Sequence, residues 1–235
     1  MSEYNEGFKV SQDSRPSPIV GPLNVYSLLA LAGIIGPLVF VIADLTAAFS
    51  EPNYNLVRDS ISSLAWTPMG WLQTIGFLTI GLLVEVLVAG LFFSIRGARG
   101  FGLGIGLFVC FGFGLLLIGA FRADPVGSPH TLEGTIHLVA AIAIFCIFPI
   151  ASLLIAFSLR KDSYWKGLFF HTVFAGSFAL ALMIGWILLP SKLSWFGLYE
   201  RILVANAIIW VEIMAVRLLR MSLSASERLK RPKLL

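Results

Sequence analysis

The sequence predicts an all-α fold, a polytopic integral membrane protein built as a six-transmembrane-helix bundle with both termini cytoplasmic. Three observations carry this. The 235 residues are 57% hydrophobic and only 13% charged, whereas a soluble domain is about half apolar and about a quarter charged. The mean hydropathy is +0.88. The apolar residues are gathered into long uninterrupted runs. So few charges cannot cover a globule of this length in water, which excludes a soluble enzyme, a disordered chain and a disulfide-stapled secreted module.

A helix must supply about 20 mostly apolar residues to cross roughly 30 Å of hydrocarbon. Six runs do so: Val25 to Phe49, Gly70 to Ile95, Phe101 to Phe121, Leu132 to Leu159, Leu168 to Leu189, and Gly197 to Leu219. Barrel strands would be about half as long and would alternate in polarity, so these runs read as helices. Residues 1–24 form a polar tail with Pro16, Pro18 and Pro22, residues 25–220 the transmembrane domain, and residues 221–235 a basic tail. The first run is too long for a signal-peptide core and is expected to be retained.

Direction follows from Lys and Arg, which cytoplasmic loops retain. One side holds Lys9, Arg15, Arg96, Arg99, Arg160, Lys161, Lys166 and the cluster from Arg217 to Lys233, and the other only Arg58, Arg122, Lys192 and Arg201. Both termini are therefore expected in the cytoplasm, with the protein in the plasma membrane. The net charge of +4 is a topology signal with some attraction to anionic membrane lipid, and no nucleic-acid footprint. Cys110 and Cys146 fall near mid-membrane and read as packing thiols. Gly100, Gly102, Gly104 and Gly106 open the third span as two overlapping small-xxx-small pairs, a device for close helix approach.

Polar residues gather on the outer side. Asp44 lies near the end of the first span. The long first loop carries Arg58, Asp59, Ser60, Ser62 and Ser63. Arg122, Asp124, His130, Glu133 and His137 surround the second outer loop, and Glu200 and Arg201 open the last span. In the first loop Val57, Ile61 and Leu64 recur at helical spacing, with Arg58, Asp59, Ser62 and Ser63 opposite and Pro68 after them. That pattern predicts a short interfacial helix, apolar face down, that either covers the bundle or walls a pocket. Thr131 is placed to N-cap the fourth helix, with Glu133 in its first turn.

Glu133 and His137 are four apart and share a helix face, and with Asp124 they form a candidate zinc site. A bound zinc would supply a hydroxide nucleophile from water. The alternative is a histidine that ties the fourth span to the Asp124 loop by hydrogen bonds. Arg58, Arg122 and Arg201 each have an acidic neighbour in Asp59, Asp124 and Glu200, and read either as three ion pairs or as a cradle for a lipid headgroup. A deeper set, Glu85, His171 and Glu212, lines an inner cavity in a proton-coupled transporter and makes internal polar contacts otherwise.

Three segments, Asp59-Ser60-Ile61-Ser62-Ser63-Leu64, Phe121-Arg122-Ala123-Asp124-Pro125 followed by His137, and Gly197-Leu198-Tyr199-Glu200-Arg201, together resemble the prokaryotic membrane-protein family catalogued as domain of unknown function 998. The resemblance covers residues 25 to 220 and implies a six-helix membrane protein with no established activity. A looser likeness to the alkaline ceramidase superfamily of zinc-dependent membrane hydrolases would enlist Ser60 or Ser63, Asp124, His137 and His171. The paired histidines that superfamily carries late in the chain are missing here, and His171 falls on the opposite side of the membrane.

The expected function is a multi-pass membrane protein whose outward polar pocket, lined by Arg58, Asp59, Ser60, Ser63, Arg122, Asp124, His137, Glu200 and Arg201, binds a lipid headgroup or small amphiphile. The alternatives are a zinc-dependent lipid hydrolase with Asp124, Glu133 and His137 as ligands, and a proton-coupled transporter.

Overall fold

A computed structural model describes residues 24–125, 127–188 and 194–230. The polar N-terminal tail with Lys9 and Arg15, the Lys192 loop and the last basic residues, Arg231 and Lys233, lie outside the described residues. Six helices follow in order: α1 Val25–Ser50, α2 Trp71–Ser94, α3 Phe101–Ala120, α4 Leu132–Lys161, α5 Phe169–Leu188 and α6 Phe196–Lys230. All six have a stretch long and apolar enough to cross a membrane. The expected spans and these helices agree closely, except that α6 runs on to Lys230 instead of ending near Leu219. Arg, Lys, Leu, Met, Ser and Glu continue a helix at little cost, so loss of hydrophobicity ends a span without ending the helix.

The helices pack in chain order, each on the next, and α6 closes back onto α1, while α5 rests mainly on α4 and meets α6 only sparsely. The beginning of α1 and the far part of α6 lie side by side. Asn24 caps α1 by accepting from the Ser27 backbone amide at 3.0 Å, and Ser27 and Ser222 hydroxyls meet at 2.7 Å. The first and last helices thus end on one face of the bundle. At that same end Asp162 accepts from the Arg96 amide at 2.9 Å and Ser158 from the Ala98 amide at 2.9 Å, pinning the α2–α3 connection to the end of α4.

The centre is aromatic. Phe108 stacks on Trp210 with ring centroids 4.6 Å apart, and Phe148 meets both edge-on. The Trp210 indole N–H donates to Thr172 at 3.1 Å, satisfying the one polar atom of the ring. Lipid gives no solvophobic push between helices, so close packing of this kind supplies the cohesion. Of the four glycines opening α3, Gly104 sits against Ala151, Leu154 and Ile155 of α4, and Gly100 takes φ +88° at the helix start, a conformation only glycine adopts freely. Gly102 and Gly106 face nothing within 4 Å, so the second expected small-residue pair makes no helix contact. Both cysteines are free thiols.

Candidate functional site

The loop between α1 and α2 is folded by its own polar residues. Asn55 Oδ1 accepts from the amides of Val57 at 2.9 Å and Arg58 at 3.2 Å, a side chain mimicking a backbone turn. Asp59 accepts from the Asn55 amide at 2.8 Å and receives a two-pronged bond from Arg58, at 2.7 and 2.8 Å. The Arg58 guanidinium holds the Asp59 carboxyl below the usual carboxylate range, and Asp59 raises Arg58 in return. After this turn a short 3₁₀ helix, Ile61–Trp66, drives Ile61 and Leu64 into the bundle. The expected amphipathic helix is therefore real but shorter, since Val57 lies before it and is 45% exposed.

Helix α6 receives this loop. Its first amides, at Gly197 and Leu198, donate to the carbonyls of Arg58 at 3.3 Å and Val57 at 2.9 Å. Arg201 Nη1 donates to the Leu56, Asp59 and Gly197 carbonyls at 2.9 to 3.1 Å. Arg201 Nη2 donates to the Tyr54 hydroxyl, and the guanidinium lies over the Tyr54 ring at 5.5 Å. The Glu200 carboxylate accepts from the Ile61 amide at 2.8 Å, capping the 3₁₀ helix. Glu200 and Arg201 are thus sequence neighbours with separate work.

The α3–α4 loop is equally self-contained. Asp124 accepts from the Thr131 hydroxyl at 2.6 Å and amide at 3.0 Å, and Thr131 in turn caps α4 by accepting from the Gly134 amide at 3.0 Å. These bonds from Thr131, with His130 at 3.8 Å, hold Asp124 below the usual carboxylate range. Glu133 accepts from the Arg122 amide at 2.7 Å and sits 3.8 Å from the Arg122 guanidinium. Arg122 therefore pairs with Glu133, 11 positions away in the first turn of α4, and not with nearby Asp124. The Trp66 indole donates to the Ala123 carbonyl at 2.8 Å, and Arg122 covers the Trp66 ring, so the two loops touch.

His137 is where they converge. Its Nδ1 is 2.8 Å from the Phe121 carbonyl and its Nε2 is 2.9 Å from Ser62 Oγ. A carbonyl only accepts, so Nδ1 carries the proton, and in the neutral ring Nε2 accepts from the Ser62 hydroxyl. For Asp124, Glu133 and His137 to share an ion, His137 would give up Phe121 or Ser62, and the carboxylates would leave Thr131 and Arg122. Among the described residues no three histidine, cysteine, aspartate or glutamate side chains stand within reach of one metal.

Below this layer an apolar cavity of about 50 Å³ runs between the six helices, lined from α1 by Phe40 and from α5 by Ala179. Phe40, Phe77, Phe111, Phe148 and Leu203 are among its walls, and among the described residues Ser62 and Glu200 are its only polar lining. A second, larger and more open cavity of about 170 Å³ is lined by Ser60, Ser62, His137, Trp186, Tyr199 and Glu200. Ser62, Ala141, Phe145, Glu200 and Leu203 border both, so the two adjoin.

Of the residues anticipated from sequence, Ser60, His137 and Glu200 border this space. Arg122 lines a smaller recess beside Ser62 and His137. Arg58, Asp59, Ser63, Asp124 and Arg201 serve the loops: Ser63, for instance, donates to the Ser60 carbonyl at 2.7 Å. Ser62 and Tyr54 lie in the same outer loop, but nothing local marks their partners: Ser62 meets His137, 75 positions on, and Tyr54 meets Arg201, 147 positions on. Nearby, buried Asp44 accepts from Gln73 at 2.7 Å, and Gln73 Oε1 is buried without a partner. In the deeper set, Glu85 lies against Gly112, and neither it nor His171 or Glu212 lines these cavities.

Neither the curated proteins nor the solved structures give a match. The family described as "Protein of unknown function (DUF998)" matches residues 34–217, a stretch that holds α2 to α5, most of α1 and of α6 and every polar residue of the converging layer, and the chain belongs to that family.

Proposed function

We propose that the protein is an amphiphile-binding membrane protein. The ligand's apolar tail lies in the apolar cavity between the helices, and its head meets Ser62 and Glu200 where that cavity adjoins the second one, beside His137. The observation that carries this reading is the polarity of the lining, apolar among the described residues except at Ser62 and Glu200. Concave, mostly apolar sites with a few converging polar groups are how proteins hold small lipid-like ligands.

The bonding of the arginines narrows the head. Arg58 is taken by Asp59, Arg122 stands beside Glu133, and Arg201 is turned onto loop carbonyls. The groups bordering the cavity are a hydroxyl, an imidazole and a carboxylate, which favour an uncharged hydrogen-bonding head over a phosphate. In the plasma membrane we place the Ser62 end outward and both chain ends in the cytoplasm, on the distribution of Lys and Arg.

The test is lipid extraction and mass spectrometry on detergent-purified protein. Ala207 borders the cavity on α6, and Ala207→Phe fills it. The wild type is expected to carry a defined amphiphile, and the folded variant to lose it by at least tenfold, about 1.4 kcal/mol. Wild-type protein free of lipid, or equal loading in both, overturns the reading.

A further inference from the structure

Ser62 and His137 have a geometry that hydrogen bonding to a passive lipid head does not require. The Ser62 hydroxyl points at an imidazole nitrogen 2.9 Å away, and the other ring nitrogen is fixed 2.8 Å from the Phe121 carbonyl. A nucleophile, a base in contact with it and a third group that orients the base are the parts of an acyl-transfer site. Ser62 borders both cavities described above, and His137 borders the second. His137 is 6% exposed, so its orientation is held by the bundle. Ser63, one residue along, is bonded to the Ser60 carbonyl and has no such base.

We propose that Ser62 is an acyl-accepting nucleophile and His137 its base, acting on a carboxylic ester whose acyl chain enters the apolar cavity from the lipid-facing opening beside it. The inference rests on the amphiphile-binding reading for the placement of its substrate. Ser62 Oγ bonds to the ester carbonyl carbon, and its proton passes to His137 Nε2. The bond to the leaving alcohol breaks, and that alcohol takes the proton from His137. Water then attacks the acyl-Ser62 ester, giving one proton to His137 as the fatty acid leaves, and the proton returns to Ser62 Oγ. The Phe121 carbonyl positions the ring throughout by holding the Nδ1 proton, so that Nε2 stays available as an acceptor.

The experiment treats the full chain in detergent micelles with a long-chain alkyl fluorophosphonate and maps the adduct by mass spectrometry. The expected result is one adduct per chain, on Ser62, absent in Ser62→Ala and in heat-denatured protein. In His137→Gln labelling should slow by at least about 100-fold, the loss typical of removing a general base. Ser50→Ala, at the end of α1 with its hydroxyl on the Thr46 carbonyl, should label as the wild type does. Thermal melting checks that each variant folds. Should one not fold, the wild-type labelling rate must still rise with pH through a single imidazole titration, and a flat rate overturns the proposal. So do an adduct elsewhere, no adduct, or His137→Gln reacting at the wild-type rate. Bound lipid without an adduct overturns the nucleophile alone; neither lipid nor adduct overturns both readings; an adduct on lipid-free protein keeps the nucleophile and removes the bound amphiphile.

Discussion

Arg201 on α6 donates to the hydroxyl of Tyr54 and lies 5.5 Å over its ring, joining positions 147 apart in the sequence. The same guanidinium serves the carbonyls of Leu56, Asp59 and Gly197, and the Glu200 carboxylate beside it holds Ile61. The loop that presents Ser62 is therefore held in place from α6.

Removing that anchor should loosen the loop before it unfolds the bundle. Arg201→Ala leaves several half-buried acceptors without their charged donor, which at about 1.5 to 3 kcal/mol for a bond to a charged group predicts a net loss of about 2 to 4 kcal/mol. Arg201→Lys should recover only part of it, because an ammonium cannot fork between the carbonyls and Tyr54. Denaturant titration in micelles measures the loss, and hydrogen exchange should show residues 54–62 opening first. An Arg201→Ala protein as stable as the wild type would contradict this account.

Tyr54 makes the same anchor sensitive to alkali. Burial pushes its phenol up to about 12, against the smaller opposing pull of Arg201. A pKa raised in the folded state means that the neutral phenol is favoured by folding. Its contribution is fully present below the ordinary value of about 10 and is lost as pH rises through about 12. Lysines also titrate in this range, so the informative quantity is the melting temperature of wild type minus that of Tyr54→Phe. That difference should shrink between pH 10 and 12 and be constant below.

The hydrophobic frame was readable from sequence because a span is declared by composition over about 20 residues, without knowledge of its neighbours. The capping of α4 by Thr131 was readable for the same local reason. The ion pairs were less so. Arg58 does take Asp59, yet Arg122 takes Glu133 across the start of α4 and Arg201 takes no carboxylate among the described residues. Sequence adjacency cannot tell these apart, since the choice depends on which way each helix end turns its side chains. Ser62 and His137 are 75 positions apart, and no periodicity connects them. They meet because α6 pulls one loop down while α3 and α4 hold the other.

Acid should act on the second loop. Asp124 is held below the usual carboxylate range chiefly by the Thr131 hydroxyl and then by the Thr131 amide. A depressed folded pKa gives a contribution present above the ordinary value of about 3.9 and lost as pH falls through the lower folded value. The first turn of α4 should then fray in acid, and Asp124→Asn should show that faster exchange already at neutral pH with little further change on acidification. Hydrogen exchange at Thr131 to Thr135 between pH 6 and 3 decides it: equal acid response in both proteins would mean that Asp124 does not control the cap.

Glycine substitutions should separate the loop contact from the lipid-facing surface. Gly197 lies against the backbone of Asp59, so a β-carbon there would collide with main chain that has no side-chain rotamer to yield. Gly197→Ala should cost about 1 to 3 kcal/mol, as forced overpacking does. It should also push residues 57–60 off α6, breaking the amide bonds from Gly197 and Leu198. Gly106 is the opposite case, mid-helix in α3 with nothing within 4 Å of the added carbon. Gly106→Ala removes backbone entropy from the unfolded chain without a clash and should stabilise by about 0.5 to 1 kcal/mol. Melting both variants in one detergent gives opposite signs if the loop is docked on α6 through Gly197, whereas a neutral Gly197→Ala would show that the close approach of Asp59 is not part of what holds Ser62 against His137.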